Sequence, residues 1–501
     1  MSREAEMKEV ELNELDQEKQ PMTGDTPAAA EKNGCVKVKV PDDNDVKFTG
    51  LSKDELMKVA GTAGWVRTRW ILLVLFWLGW VGMLAGAIVI IVQAPKCKPI
   101  PEMNWWNEGP LYEIADVKGL SESSGLKVIE EKLDSLGQLK VKGLILGPLH
   151  RVQKDQLSTL DLTSVDSLVG SNEDMESLLQ RAHKKGLSIL LDLTPNYEGL
   201  QAWFGQASVV AQQLKAALTY WISKGVDGFL VSSLREISTT SAWPDIVAVV
   251  QGNRTEDTKK IALMGAVQGL TADEASEMLN RSSVDLLLSG LPDPGQTGTD
   301  QARTIQTLYA NSNQGSLGWN PSGRTLGRLA SRIPAGSIQP FHTLLFTLPG
   351  TAVFSSGDEI GLSDTDSLDE LWDLDSAAEE SNATVKALRE KRNELRGFFK
   401  SLSDLRGKER ALLHGEYIPL HNSSSSLAFL RLWDQSERFI TAVNWGDAPV
   451  TMTLTHEDLP PEAKVRISTD LEKMPVDSML SLEKLVLEPK QALLLSYPFS
   501  S

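Results

Sequence analysis

LSILLDLTPNYEGLQAWFGQASVVAQQLKAALTYWISKGVDGFLV, residues Leu187–Val231, sets the pattern of this chain. Two short apolar runs, LSILLDL (Leu187–Leu193) and VDGFLV (Val226–Val231), bracket a helical segment. Runs of this length with little polar alternation predict buried strands, and strand–helix–strand order predicts a parallel sheet. The same theme recurs on both sides. Further runs lie at Leu111–Ile114, Val141–Leu146, Ile261–Gly265, Asp285–Leu288, Ser316–Trp319 and Ala352–Ser356. Eight such strands alternating with helices over roughly 250 to 300 residues predict a (β/α)8 barrel. From about Leu405 the helices stop, and LAFLRLWD, RFITAVNW and VTMTLT follow one another as alternating strands. This predicts a C-terminal antiparallel β-sandwich.

Working toward the N-terminus, Ile71–Val92 reads ILLVLFWLGWVGMLAGAIVIIV, with no charged side chain. A helix of this length spans roughly 33 Å, enough for a hydrocarbon core of about 30 Å. The fold class expected is therefore α/β, a TIM barrel plus β-sandwich preceded by one transmembrane helix. Lys53, Lys58, Arg67 and Arg69 precede the span, against Lys96 and Lys98 after it, which favours a cytoplasmic N-terminal side. Met1–Gln20 is acidic and polar without an apolar run, so the span is expected to act as both signal and anchor, in type II topology. Four N-x-S/T sequons, Asn253, Asn280, Asn382 and Asn422, all fall on the carboxyl side and are candidate N-glycosylation sites. Within the span, Gly79, Gly82 and Gly86 share one helix face, where a second helix could approach closely. Before it, Ser52 and Glu55 form a capping-box pattern that opens a short helix over Leu51–Ala60.

The resulting layout is a disordered cytoplasmic tail at 1–64, a transmembrane helix with flanks at 65–94, and an extracellular neck at 95–110. A barrel at 111–404 and a β-domain at 405–501 follow. Fifty basic against sixty-seven acidic residues give a net charge of −17, which argues against nucleic acid as a partner. The two cysteines, Cys35 and Cys97, lie on opposite sides of the span and cannot bond to each other within one chain. An unpaired cysteine facing an oxidising compartment points to an intermolecular disulfide, with a free juxtamembrane thiol or a palmitoylation site as the alternatives.

Four segments resemble the α-amylase family of glycoside hydrolases: LDSLGQLKVKGLILGPL (Leu133–Leu149), DLTPNY (Asp192–Tyr197), GVDGF (Gly225–Phe229) and FTLPGTAVFSSGDEIGL (Phe346–Leu362). That resemblance implies chemistry by a carboxylate nucleophile and a carboxylic acid about 5–5.5 Å apart. At the matching positions this chain has Leu230 for the arginine and Ser232 for the nucleophile after strand four, and Ala266 for the acid after strand five. GWNPSGR (Gly318–Arg324), where the family has its third carboxylate, contains none. Tyr197 stands where the family has histidine, and the family's long excursion after strand three is absent. Asp192 and Asp358 are expected to be hydrogen-bonded strand-end residues. The chain is therefore expected not to be an enzyme, with no catalytic residue, metal or cofactor.

VELNEL (Val10–Leu15), GWVRTRW (Gly64–Trp70) and FWLGW (Phe76–Trp80) resemble the heavy subunits of heteromeric amino-acid transporters. What that resemblance implies is a plasma-membrane glycoprotein linked through Cys97 to a polytopic light chain, which carries the amino acid, and associated with integrin β subunits. Two competing expectations are a membrane-anchored α-glucosidase and a receptor or adhesion protein without a transporter partner.

Overall fold

The computed structural model describes residues 52–93, 97–121, 124–199, 207–252, 259–368, 371, 374 and 382–499. Residues 1–50 with Cys35, and the sequon Asn253, lie outside the described residues. The chain divides into two units, Met1–Pro95 and Lys96–Ser501.

In the first unit a helix over Lys53–Ala60 starts at Ser52. The Ser52 side chain accepts from the Glu55 N–H and the Glu55 carboxylate accepts from the Ser52 N–H, so the capping box forms as expected. A second helix runs over Ala63–Gln93 for 31 residues and is long and apolar enough to cross a membrane. It begins before the apolar stretch, carrying Trp65 to Trp70 into the helix. All its described side chains are exposed within the single chain. A methyl group added at Gly79, Gly82 or Gly86 would meet nothing within 4 Å, leaving that face open.

In the second unit eight parallel strands close into a barrel. They are β1 Leu111–Ile114, β2 Gly143–Leu146, β3 Ser188–Asp192, β4 Gly228–Ser232, β5 Ala262–Ala266, β6 Leu286–Leu288, β7 Leu317–Trp319 and β8 Thr351–Ser355. All eight expected runs are strands of this barrel. They read as continuous apolar runs because both faces are buried. Leu111, Ile145, Leu190, Leu230, Met264, Leu286, Leu288 and Val353 pack with Trp106 in one cluster inside the barrel. The alternate residues, among them Tyr112, Leu144, Ile189, Leu191, Phe229, Val231 and Leu263, pack outward among the helices. This period of two fixes which residue at each strand end faces the barrel axis.

The β-domain is a six-stranded antiparallel sheet together with a two-stranded ladder. With β9 Glu416–Asn422, β10 Ser426–Leu432, β11 Arg438–Asn444, β12 Val450–Met452, β13 Glu462–Ser468, β14 Met479–Ser481, β15 Leu485–Leu487 and β16 Gln491–Tyr497, the sheet order is β9-β10-β11-β16-β13-β14, and β12 pairs β15. One face carries Ala428, Leu430, Ile440, Ala442, Leu493 and Leu495 against Met452, Leu485 and Leu487. The other face, with Leu427, Phe429, Val443 and Trp445, belongs to the same core as the barrel. The change from helix to strand falls later than residue 405. A helix over Ala383–Lys408 crosses that position and buries Leu402 and Arg406, and the short helix Arg410–His414 precedes β9. Two buried arginines join the domains: Arg406 donates to the Phe346 and Leu348 carbonyls at 2.6 and 2.9 Å, and Arg431 to those of Thr347 and Gly415 at 2.6 and 2.9 Å. Positive charge at the C-terminal end of the Ile338–Thr347 helix satisfies carbonyls that the helix leaves open.

Candidate functional site: the carboxyl end of the barrel

Alternation along each strand assigns the ring of inward positions at the barrel mouth. Glu113 follows Leu111 by two, Asp192 follows Leu190, Ser232 follows Leu230, Ala266 follows Met264 and Ser355 follows Val353. Gly147 stands where β2 ends, its backbone against Ala115: an added Cβ would lie 2.0 Å from the Ala115 carbonyl oxygen. Of these inward strand-end residues only Glu113 and Asp192 are carboxylates. Leu230 is 3% exposed and packed in the apolar barrel interior. Ser232 and Ala266 line a cleft of about 320 Å³ with Ser233, Arg235, Glu236, Val267, Gln268 and Thr325. The cleft thus opens where the fold family places its nucleophile and acid, and it holds hydroxyl, methyl and amide groups there. Its one lining carboxylate, Glu236, is exposed on the short helix Leu234–Ile237.

Both inward carboxylates are sealed beneath Arg324, which lies in the loop after β7. Asp192 is 2% exposed, and its Oδ1 accepts the Thr194 N–H at 2.9 Å and the Thr194 hydroxyl. Its Oδ2 lies 3.3 Å from Arg324 Nε in an ion pair. Arg324 also reaches the Tyr197 carbonyl at 3.4 Å, so it spans the mouth from β7 to β3. Glu113 is raised to about 7 by burial first and the nearby Asp192 charge second, with Arg324 opposing. An acid near neutrality beside a carboxylate is the electrostatic pattern of a glycosidase pair. Here, however, the ion pair already engages the Asp192 carboxylate, and neither carboxyl group opens onto the cleft lined by Ser232 and Ala266.

Sequence reading did not single out Glu113 or Arg324. LYEI reads as a strand with one polar residue, and only the inward register of Leu111 turns Glu113 into the barrel. Arg324 meets Asp192 across the barrel mouth, a contact that no local pattern announces. The signal that could have found both is charge balance, since a buried carboxylate needs a cation somewhere in the chain.

Asp358 behaves as a strand-end anchor. It is fully buried, accepting from the Ser355 N–H at 2.8 Å, the Leu329 N–H at 2.9 Å and the Ser322 hydroxyl at 2.5 Å. Burial pushes it up to about 6. Its neighbour Glu359, raised by burial to about 7, takes the Tyr112 hydroxyl at 2.9 Å and the Gly357 N–H at 3.0 Å. Asn196 exchanges hydrogen bonds with Asp155, accepting its N–H at 3.2 Å and donating to its carboxylate at 2.9 Å. Among the described residues no group of three His, Cys, Asp or Glu is placed to hold a metal ion.

Glu113 gives a pH prediction with a definite sign. Its folded value lies above the unfolded one, so the stability it contributes is full below about 4.5 and lost as pH rises through about 7. Relative to the parent chain, Glu113→Gln should therefore gain stability with rising pH, by up to about 3 kcal/mol between pH 5 and 8. Urea unfolding of both chains across that range measures it. Parallel stability curves would show that Glu113 does not titrate in the folded state.

The remaining site residues are surface features. Asn280, Asn382 and Asn422 are exposed, Asn280 within the helix Ala272–Ser282 and Asn382 at the start of the helix Ala383–Lys408. Cys97 is exposed and bonds to no other cysteine among the described residues.

Comparison with known proteins places this geometry. Residues 36–112 match the family described as Solute carrier family 3 member 2 N-terminus, and residues 115–209 match Alpha amylase, catalytic domain. Among solved structures, the trehalulose synthase MutB from Pseudomonas mesoacidophila has a TM-score of 0.60 at 16% identity. It covers 79% of this chain and 100% of its own. The class of fold is thus that of the α-amylase-type barrel enzymes. At the level of sequence, the rat protein "Amino acid transporter heavy chain SLC3A2" is 44% identical, with 99% of each chain covered, and its mouse counterpart is 42% identical at the same coverage. The chain belongs to the SLC3A2 family of amino acid transporter heavy chains, the 4F2 cell-surface antigen heavy-chain type. Its apolar N-terminal helix fits a single-pass membrane protein.

Proposed function

We propose that this chain is the non-catalytic heavy subunit of a heteromeric amino-acid transporter. Cys97 forms a disulfide with a polytopic light chain, and the complex is stabilised and carried to the plasma membrane with the Lys96–Ser501 unit outside the cell. The observation that carries this reading is the 44% identity to the rat heavy chain over 99% of the sequence. Physical chemistry supports the division of labour. A single helix with no ionisable residue between Ile71 and Val92 offers no polar path across a bilayer, so transport needs a second subunit. Leu230, Ser232 and Ala266 leave no carboxylate at the strand-end positions of the nucleophile and acid, and the cleft's one carboxylate, Glu236, lies on an exposed helix, which supports loss of glycoside hydrolysis. The sequons at Asn280, Asn382 and Asn422 are exposed and suit glycosylation in an extracellular domain. Association with integrin β subunits through the tail and membrane helix is part of the same reading.

Removing the chain from cells and restoring it tests this function. Light-chain abundance at the surface and amino-acid uptake should fall together and recover together. Unchanged uptake, or turnover of an α-glucoside by the purified chain, would contradict it. The Gly79–Gly82–Gly86 face gives a narrower prediction. Gly82→Leu or Gly86→Leu places a branched side chain where helix backbones approach, and should lower recovery of the light chain severalfold in detergent after reduction. Undiminished recovery would put the contact on another face.

A further inference from the structure

We propose that the β-domain clamps the neck at Lys98 and thereby holds the adjacent Cys97 thiol at a fixed place, with Asp434 as the positioning residue. This rests on reading Cys97 as the site of the covalent link. Three contacts converge on Lys98. Its backbone N–H donates to Asp434 Oδ2 at 3.1 Å, its Nζ lies 3.5 Å from Glu416 Oε1, and the same ammonium sits 5.9 Å over the Trp433 ring. Trp433 is itself packed on His414, ring centroids 5.4 Å apart. The ion pair, with both side chains more than half exposed, contributes little to stability. The hydrogen bond from a backbone N–H to a carboxylate is different, because it fixes the main chain itself.

Two features show that the arrangement serves position. Asp434, in the β10–β11 turn, has φ of 43°, a conformation that glycine adopts with less strain. Its carboxylate reaches Lys98, which gives a reason for an aspartate at a glycine-like position. Beyond Lys98, Pro99 and Pro101 stiffen the neck, and its far end is pinned to the barrel. Trp105 Nε1 donates to the Lys260 carbonyl at 2.8 Å, and Asn107 Nδ2 to the Gly315 carbonyl and the Thr351 hydroxyl at 2.8 and 2.9 Å. The segment between Lys98 and Asn107 is thus held at both ends, and Cys97 is one Cα step, about 3.8 Å, beyond the first pin. A thiol held this way meets a partner cysteine at higher effective concentration than one on a loose tether.

The test uses the full chain in two assays. Asp434→Gly keeps the turn conformation and removes the acceptor, whereas Asp434→Asn keeps both the turn and an acceptor oxygen. Lys98→Pro removes the donor without altering the β-domain. First, in chains carrying Cys35→Ser and a nitroxide on Cys97, Asp434→Gly and Lys98→Pro should mobilise the label about threefold or more, while Asp434→Asn matches the parent. Second, with a polytopic amino-acid carrier co-expressed, pulse–chase on non-reducing gels should show about threefold slower covalent capture for the same two variants. Equal label mobility and equal capture in Asp434→Gly and the parent overturn the clamp. A parent chain that never forms a reducible complex overturns the reading beneath it, and the proposal with it, whatever the label shows.

Discussion

Cys97→Ser is expected to run on a non-reducing gel as a free heavy subunit, with the covalent heterodimer band abolished, while part of the light chain still co-purifies. The all-or-none loss follows from the sequence. Cys35 precedes the apolar span, so in the proposed type II topology no second cysteine of this chain is available in the same compartment. The partial survival of association is expected from the two further contacts proposed, the glycine face of the Ala63–Gln93 helix and the Lys96–Ser501 unit. A covalent tether keeps such weaker contacts at an effective concentration of about millimolar, so its removal lowers occupancy without deleting them. Co-purification in mild detergent, quantified against surface uptake, measures the split. A reducible band that persists in Cys97→Ser would contradict the assignment, and complete loss of association would mean that helix and domain contribute little.

Arg324→Met is expected to destabilise the Lys96–Ser501 unit by about 3–5 kcal/mol, the cost of leaving a buried carboxylate without its cation. Asp192 is 2% exposed and Glu113 7%, and Arg324 is the cation at the mouth they share. The deficit should be larger at pH 8 than at pH 5.5, because Glu113, raised to about 7, is charged only at the higher pH. Denaturant midpoints at the two pH values test this, and Glu113→Gln in the Arg324→Met background should recover part of the loss at pH 8. A deficit independent of pH would show that Arg324 acts through packing alone.

The barrel was legible in the sequence because each strand is buried on both faces. Runs such as LSILLDL and VDGFLV carry no alternation to confuse with an exposed sheet, and even the three-residue strand Leu317–Trp319 falls inside its expected run. The β-domain was legible for the complementary reason, since Leu427 and Phe429 face the barrel core while Ala428 and Leu430 face the second sheet. Its start was misplaced because Ala383–Lys408 continues as helix through the position where the composition changes. At the candidate site, Leu230, Ser232 and Ala266 were legible through the family resemblance, and the structure places the latter two on one cleft. The Asp192–Arg324 pair was not, because it depends on long-range closure of the barrel. Glu113 needed the inward register of β1, which short runs alone do not supply.

Everything proposed for the chain turns on what Cys97 is bonded to in native membranes. Non-reducing digestion followed by mass spectrometry of the Cys97 peptide answers this directly. The account predicts a disulfide to a cysteine in an extracellular loop of a multi-spanning amino-acid carrier. A free Cys97 thiol, or a bond to a protein with no transport function, would contradict it.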